Sequence, residues 1–226
     1  WLSERTGKLL SELTVAVGND SRLSAGELNG AVTQGLSMLG ITVVDCGLCS
    51  TPAMFMTTVM EGYRYDGSVM LTASHLPFNR NGLKFFTKDG GLEKSDITAI
   101  LELAQEKIYT KAGKPGAIKS LDFIQVYAAD LVRKIRNKTG EERPLEGFRI
   151  LVDAGNGAGG FYATRVLAPL GADISASVYL EPDGSFPNHV PNPENKEAME
   201  SLRRAVLAGG CDLGLIFDTD VDRAGA

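Results

Sequence analysis

Two consecutive three-layer α/β/α units, each with a mixed, mainly parallel sheet, are the fold the sequence predicts. Short β-branched runs alternate with longer stretches of helical periodicity, the order that builds a parallel sheet covered by helices on both faces. A Gly/Pro-containing break, KAGKPGAIKS, interrupts the series and divides the chain into units 1–120 and 121–226. Two β-like runs, GSVMLTAS and NGLKFFT, follow each other too closely for a crossover helix. The second is therefore expected as an antiparallel edge strand.

In chain order, ELTVAVGND (12–20) reads as a buried strand ending in a polar turn. Residues 24–39 open with a serine as N-cap and place Leu28, Val32, Leu36 and Leu39 at helical spacing. ITVVDCG (41–47) is a second strand. Thr51-Pro52 starts a helix to about Glu61, with proline favoured in the first turn. Met54, Met56 and Met60 there read as core filler. The third and fourth strands, 67–74 and 81–87, are followed by a helix near 95–112.

In the second unit, residues 121–138 form an amphipathic helix leading into a polar linker, TGEERPLEG. The strand FRILVDAG and a helix over about 158–170 follow. ADISASVYL (172–180) is expected as a strand, then an extended Pro/Asn loop, EPDGSFPNHVPNPE. A helix at 195–208 and the strand CDLGLIFD (211–218) complete the series.

The chain has 226 residues, is 43% apolar and carries a net charge of −5, which suits one large or two small cores. The acidic balance argues against a nucleic-acid partner, because phosphate-backbone binders carry a basic face. No apolar run approaches a membrane span. The N-terminus WLSERTGKLL has neither a signal-peptide core nor an initiator methionine, and the acidic cluster stands at the other end, so the chain reads as a piece of a longer protein. Three cysteines are too few for a disulfide scaffold, which fits a soluble protein of a reducing, cytoplasm-like compartment. Cys46-Gly-Leu-Cys49 has C-x-x-C spacing but no thioredoxin-like surroundings, and Cys211 alone does not complete a zinc set.

Gly155-Asn-Gly157-Ala-Gly159-Gly160 follows a strand and opens a helix, matching the G-x-G-x-x-G dinucleotide fingerprint, with Glu181 roughly where a ribose-binding acid would sit. A glycine turn that lets a helix lie close on its sheet explains the same residues.

The end of the chain, GLIFDTDVDRAGA, is more demanding. Asp218, Asp220 and Asp222 follow an apolar strand, and Arg223 comes next. On a strand the outer two carboxylates would stand roughly 13 Å apart, and on a helix neighbours two apart diverge. They can share a small cation only if the chain curls into a loop as it leaves the strand. A divalent ion would relieve three clustered anions, and oxygen donors favour Mg²⁺. An EF-hand is excluded, because Arg223 stands where glycine is needed. A solvated acidic turn and the D-x-D of haloacid-dehalogenase-type phosphatases are the competing readings.

Ser74 lies at the end of the third strand, beside His75. It lacks the G-x-S-x-G elbow of a hydrolase, and neighbouring strand side chains point to opposite faces, so His75 is badly placed to deprotonate it. A phosphoryl group on the serine fits better. Lys84, Arg22, His75 and Arg223 would offset its charge, and a cation on the aspartates would reach its oxygens.

With those residues in view, TASHLPFNRNGLK resembles the phosphoserine loop of the α-D-phosphohexomutases, the phosphoglucomutase and phosphomannomutase family. DTDVDR resembles their metal loop. GNDSRLSAGEL, VDAGNGAGG and EPDGSFPNHVPNPE are similar to further stretches of the family in the same order. The resemblance implies transfer of phosphate between C1 and C6 of a hexose phosphate through a hexose 1,6-bisphosphate, with Mg²⁺. It implies Ser74 as phosphoserine, Asp218, Asp220 and Asp222 with the Ser74 phosphate as metal ligands, and Lys84 as general acid or base. His75 and Arg22 would support, and Arg223 would hold the site's charges. Leu76 departs from the asparagine common at that place in the family.

The resemblance covers the first two of the family's four domains. A fragment that holds a phosphoryl group without completing turnover is the resulting expectation, with the C-terminal domains as missing partners. A non-catalytic α/β module and a dinucleotide-binding oxidoreductase are the alternatives.

Overall fold

A computed structural model describes residues 1–106 and 112–226. The chain begins with a short helix α1 (Leu2–Thr6), then β1 (Thr14–Asn19), α2 (Ala25–Met38), β2 (Thr42–Leu48), α3 (Thr51–Val59), β3 (Gly67–Leu71), β4 (Leu83–Thr87), a two-residue β5 (Gly90–Gly91) and α4 (Lys94–Glu106). The end of the helix expected near 95–112 lies outside the described residues. Then come β6 (Ile118–Ser120), α5 (Phe123–Thr139), β7 (Ile150–Asp153), α6 (Lys196–Gly209), β8 (Leu213–Phe217) and β9 (Ala224–Gly225).

The first sheet has the order β5-β4-β3-β1-β2-β6. β3, β1, β2 and β6 run parallel, whereas β4 returns antiparallel on β3 with Lys84 opposite Met70. β4 is thus antiparallel as expected, but it is not the edge strand, because the two-residue β5 pairs on its outer side. Alternation along β1 separates two cores: Val17 joins Val43 and Leu71 under α2, while Ala16 joins Val44, Met54 and Met70 under α3 and α5. The second sheet has the order β7-β8-β9. Val152 and Phe217 bury Ala163 and Leu167 on one face, and Leu151 and Ile216 bury Ala198 and Leu202 of α6 on the other. Both sheets are thus layered between helical segments, the α/β arrangement expected.

α5 shows how one helix joins the two units. Phe123, Tyr127, Ile124, Ala128 and Val132 recur at helical spacing and are buried in one cluster with Ala16 and Met54 of the first unit and Phe161 and Leu170 of the second. The Asp122 carboxylate caps it by accepting from the Gln125 N–H at 3.0 Å, and Gly140, at φ 76, ends it. Phe123→Ala would cost about 3–5 kcal/mol at this junction.

Four further expectations need correction. Ser24 stands at the N-cap of α2 as expected, but its hydroxyl makes no cap bond and donates instead to Asn81 Oδ1 at 2.5 Å. The 111–120 break contains a strand, Ile118–Ser120, that pairs with β2 as the sheet's last member. The helix expected over 158–170 is a 3₁₀ turn, Ala158–Gly160, followed by a π-helical stretch, Tyr162–Leu167. Residues 172–180 make only two isolated bridges, Arg149 with Asp173 and Asp153 with Val178. There the Asp173 carboxylate turns the chain by accepting from the Ser175 N–H, and the Ser177 hydroxyl takes the Val152 N–H that a ladder carbonyl would accept.

Candidate functional site

Both loops of interest leave the carboxyl ends of parallel strands, the edge at which such sheets place their sites. After β3, the Ser74 N–H is held by the Thr72 hydroxyl at 2.8 Å, and Ser74 itself takes a left-handed φ of 52. Few non-glycine residues adopt that region, and those held there by their surroundings concentrate at functional sites. Arg22 supplies part of the holding. It is 3% exposed, and its guanidinium donates to the carbonyls of Ser74, Leu76, Pro77 and Arg80, while Asp20 anchors its other edge. Arg22 therefore shapes the serine loop through backbone carbonyls. Leu76 contributes its carbonyl to this cage and is exposed.

After β8 the chain curls as the three aspartates require. Val221 adopts φ 66, its N–H returns to the Asp218 carbonyl at 3.1 Å, and the Arg223 N–H donates to Asp218 Oδ1 at 3.0 Å. One carboxylate oxygen each from Asp218, Asp220 and Asp222 then lie within 4.8 Å of one another. The Gly155–Gly160 run seats this loop. A Cβ on Gly157 would stand 2.7 Å from the Thr219 carbonyl, and one on Gly160 would strike the Leu180 carbonyl. The Ala158 N–H donates to the Thr219 carbonyl at 2.8 Å. Close backbone approach accounts for these glycines.

The two loops meet. Ser74 Oγ donates to Asp218 Oδ2 at 3.0 Å and accepts from Arg223 Nη2 at 2.9 Å. Arg223 also donates to Asp218 Oδ2 and to His75 Nδ1, which puts the ring proton of His75 on Nε2. Lys84 Nζ, reaching from β4, lies 2.6 Å from Asp220 Oδ2 and 2.6 Å from Asp222 Oδ2. Of the eight residues singled out from the sequence, seven lie in one cluster and Arg22 stands behind the serine loop.

Burial, and after it the Asp220 charge, pushes the Asp218 carboxyl up to about 6. Lys84 moves the other way from its surroundings' first tendency: burial favours the neutral amine, but Asp220 and Asp222 outweigh it and raise the pKa. Lys84 is held as an ammonium. Both thiols of the C-x-x-C pair are inert by the same physics, since burial pushes the Cys46 thiol up to about 12 and holds the Cys49 thiol well above its ordinary value.

Family models decide the assignment. "Phosphoglucomutase/phosphomannomutase, alpha/beta/alpha domain I" matches residues 2–111, and "domain II" of the same family matches residues 125–226. The chain belongs to the phosphoglucomutase/phosphomannomutase family.

Similar proteins agree. The chain is 34% identical over 212 residues to a phosphoglucomutase of Neisseria gonorrhoeae, covering 93% of this chain and 44% of that protein. It is 36% identical over 215 residues to a phosphomannomutase/phosphoglucomutase of Pseudomonas aeruginosa, covering 95% and 44%. A crystal structure of a phosphoglucomutase/phosphomannomutase family protein from Burkholderia thailandensis superimposes with TM-score 0.83 at 28% identity, over 98% of this chain and 47% of that one. The chain thus spans less than half the length of each of these three relatives. Among the described residues no helix is long and apolar enough to cross a membrane.

Sequence reasoning missed Thr51 and the contacts of the 181–194 loop. Thr51, at the start of α3, donates its hydroxyl to Asp220 Oδ2. The loop 181–194 reaches Arg22 and the aspartate loop, with Phe186 under the Arg22 guanidinium at 5.7 Å and Asn192 and Glu194 beside Arg223. Thr51 leaves no local sequence signal of this bond, whereas EPDGSFPNHVPNPE was visible as a Pro/Asn loop and a family-like stretch but not by its contacts.

Proposed function

We propose that this chain is the phosphoserine- and cation-bearing part of a phosphohexomutase, with units 1–120 and 121–226 as its first two domains. Such an enzyme moves phosphate between C1 and C6 of a hexose phosphate through a hexose 1,6-bisphosphate. The observation that carries the reading is the position of Ser74 Oγ, in hydrogen-bond reach of Asp218 Oδ2 and Arg223 Nη2 at once.

Asp218, Asp220 and Asp222, joined by an oxygen of the Ser74 phosphate, would hold Mg²⁺. Their oxygen-only donors suit a hard cation. Asp220 Oδ1, fully buried, has no hydrogen-bond partner among the described residues, which leaves a ligand oxygen to spare. Bound there, the cation would supply charge neutralisation to phosphoryl oxygens and relieve the anionic field that keeps Lys84 protonated.

The chain's own residues do the remaining work. When phosphate leaves Ser74 for a sugar, the Oγ–P bond breaks and a bond from phosphorus to the sugar oxygen forms. Arg223 Nη2 already donates to Oγ and stabilises the charge that develops on it. Lys84, in its neutral form, takes the proton of the attacking hydroxyl. In the reverse direction the ammonium returns it to the departing sugar oxygen. His75 holds Arg223 from behind, and Arg22 fixes the loop that presents Ser74.

Incubation of the chain with glucose 1,6-bisphosphate and Mg²⁺, followed by peptide mass spectrometry, tests this reading. One added phosphate on Ser74, absent in Ser74→Ala, is the expected result. A chain that never acquires it is the non-catalytic α/β module instead. Loading without conversion of glucose 1-phosphate to glucose 6-phosphate is expected of these 226 residues by themselves.

A further inference from the structure

We propose that Thr51 is a positioning residue for the cation site, setting the orientation of Asp220 from the other unit of the chain. The inference rests on the metal reading above and adds a residue from outside the aspartate loop. Thr51 is the first residue of α3, whose opening N–H groups have no partner within the helix. Two of its donors go to one residue 169 positions away: the backbone N–H to the Asp220 carbonyl at 2.8 Å, and the hydroxyl to Asp220 Oδ2. Both residues are buried, Asp220 completely. The N-terminal residue of α3 thus lies against Asp220, where a helix end favours negative charge.

Two donors share Asp220 Oδ2, Thr51 and Lys84. They differ in what a cation does to them. An ammonium is repelled by a divalent ion on the same carboxylates, whereas a neutral hydroxyl is compatible with one. Thr51 is therefore the donor that persists in either state. It keeps Asp220 in a single orientation with Oδ1 free of any hydrogen-bond donor among the described residues. Groups that orient a metal-ligating carboxylate in this way change metal affinity without touching the metal. Because α3 packs on the first sheet and Asp220 follows β8 of the second, the same contact couples the seating of the metal loop to the first unit.

Titration of the chain with Mg²⁺ by calorimetry, and with Mn²⁺ by electron paramagnetic resonance, tests the assignment. Thr51→Val keeps the branched shape and removes the hydroxyl, and should raise both dissociation constants about 10- to 100-fold. Thr51→Ala removes the hydroxyl with less bulk and gives the same reading if the valine variant does not fold. Thr51→Ser should restore wild-type affinity. Thr57→Val, which removes a buried hydroxyl of the same helix that bonds only the Met54 carbonyl, should leave affinity unchanged. Wild-type affinity in Thr51→Val, equal weakening in Thr51→Ser, or equal weakening in Thr57→Val each overturns the assignment. Failure of the wild-type chain to bind either ion overturns the metal reading itself, and this inference with it.

Discussion

Ser74 Oγ lies 3.0 Å from Asp218 Oδ2, although 144 residues separate them in the chain. The loops that leave the carboxyl ends of β3 and β8, one from each mixed sheet, come together to make this contact. What the serine does then depends on groups that each loop brings: Lys84 from β4, Arg223 from the turn after β8, and Arg22 beneath the serine loop.

Arg22 is expected to act through the loop's shape. Arg22→Ala leaves four carbonyls without their donor and the buried Asp20 without its counter-charge, a loss of about 3–5 kcal/mol if Asp20 stays ionised. Arg22→Lys should recover little, since one ammonium cannot reproduce the guanidinium's fan of donors. Thermal unfolding of both variants, alongside Ser74 phosphate loading, checks this. Wild-type stability in Arg22→Lys would contradict it.

Lys84 is expected to matter for proton transfer. Lys84→Met should slow single-turnover loading of Ser74 from glucose 1,6-bisphosphate about 10²- to 10⁴-fold. Mg²⁺ binding should persist, because the ammonium competes with a cation for Asp220 and Asp222 rather than helping it. Rapid-quench measurement of phosphoserine formation gives the rate. Unaltered kinetics would remove Lys84 from the chemistry.

The His189–Asp153 pair gives the second unit a pH dependence. His189 Nε2 lies 2.9 Å from Asp153 Oδ2, with a side chain 6% exposed. Burial alone would lower the His189 pKa, but the Asp153 hydrogen bond, the Val190 carbonyl and the Asp153 charge together raise it above the ordinary 6.5. A raised folded value means that the folded state binds the proton more tightly than the unfolded one. The pair's contribution is therefore complete below pH 6.5 and fades as pH rises through the raised value. Melting curves from pH 5.5 to 8.5 should show wild type losing stability across that window relative to His189→Gln. Parallel curves would refute the assignment.

How far the sequence revealed this follows from the range of each interaction. Strands such as Thr14–Asn19 and helices such as Phe123–Thr139 carry their periodicity within their own residues, so their order was legible. Ile118–Ser120 was not, because all three residues are exposed and Gly116 and Pro115 precede them; only pairing with β2 makes it a strand. Residues 172–180 erred the opposite way, alternating like a strand while Asp173 and Ser177 spend their side chains on the backbone. At the site, the serine and aspartate motifs were visible as residue types. The hold of Arg22 on four carbonyls and of Thr51 on Asp220 was not, since both depend on chain segments brought together only by folding.

The central claim is that Ser74 and the aspartate loop form one centre for a phosphoryl group and a cation. Phosphorus-31 NMR of the Ser74-phosphorylated chain, titrated with Mn²⁺, tests it most directly. The account predicts that the phosphoserine resonance broadens steeply at low Mn²⁺ and that Asp220→Asn abolishes the effect. A phosphoserine line that stays sharp while Mn²⁺ binds the chain would contradict it.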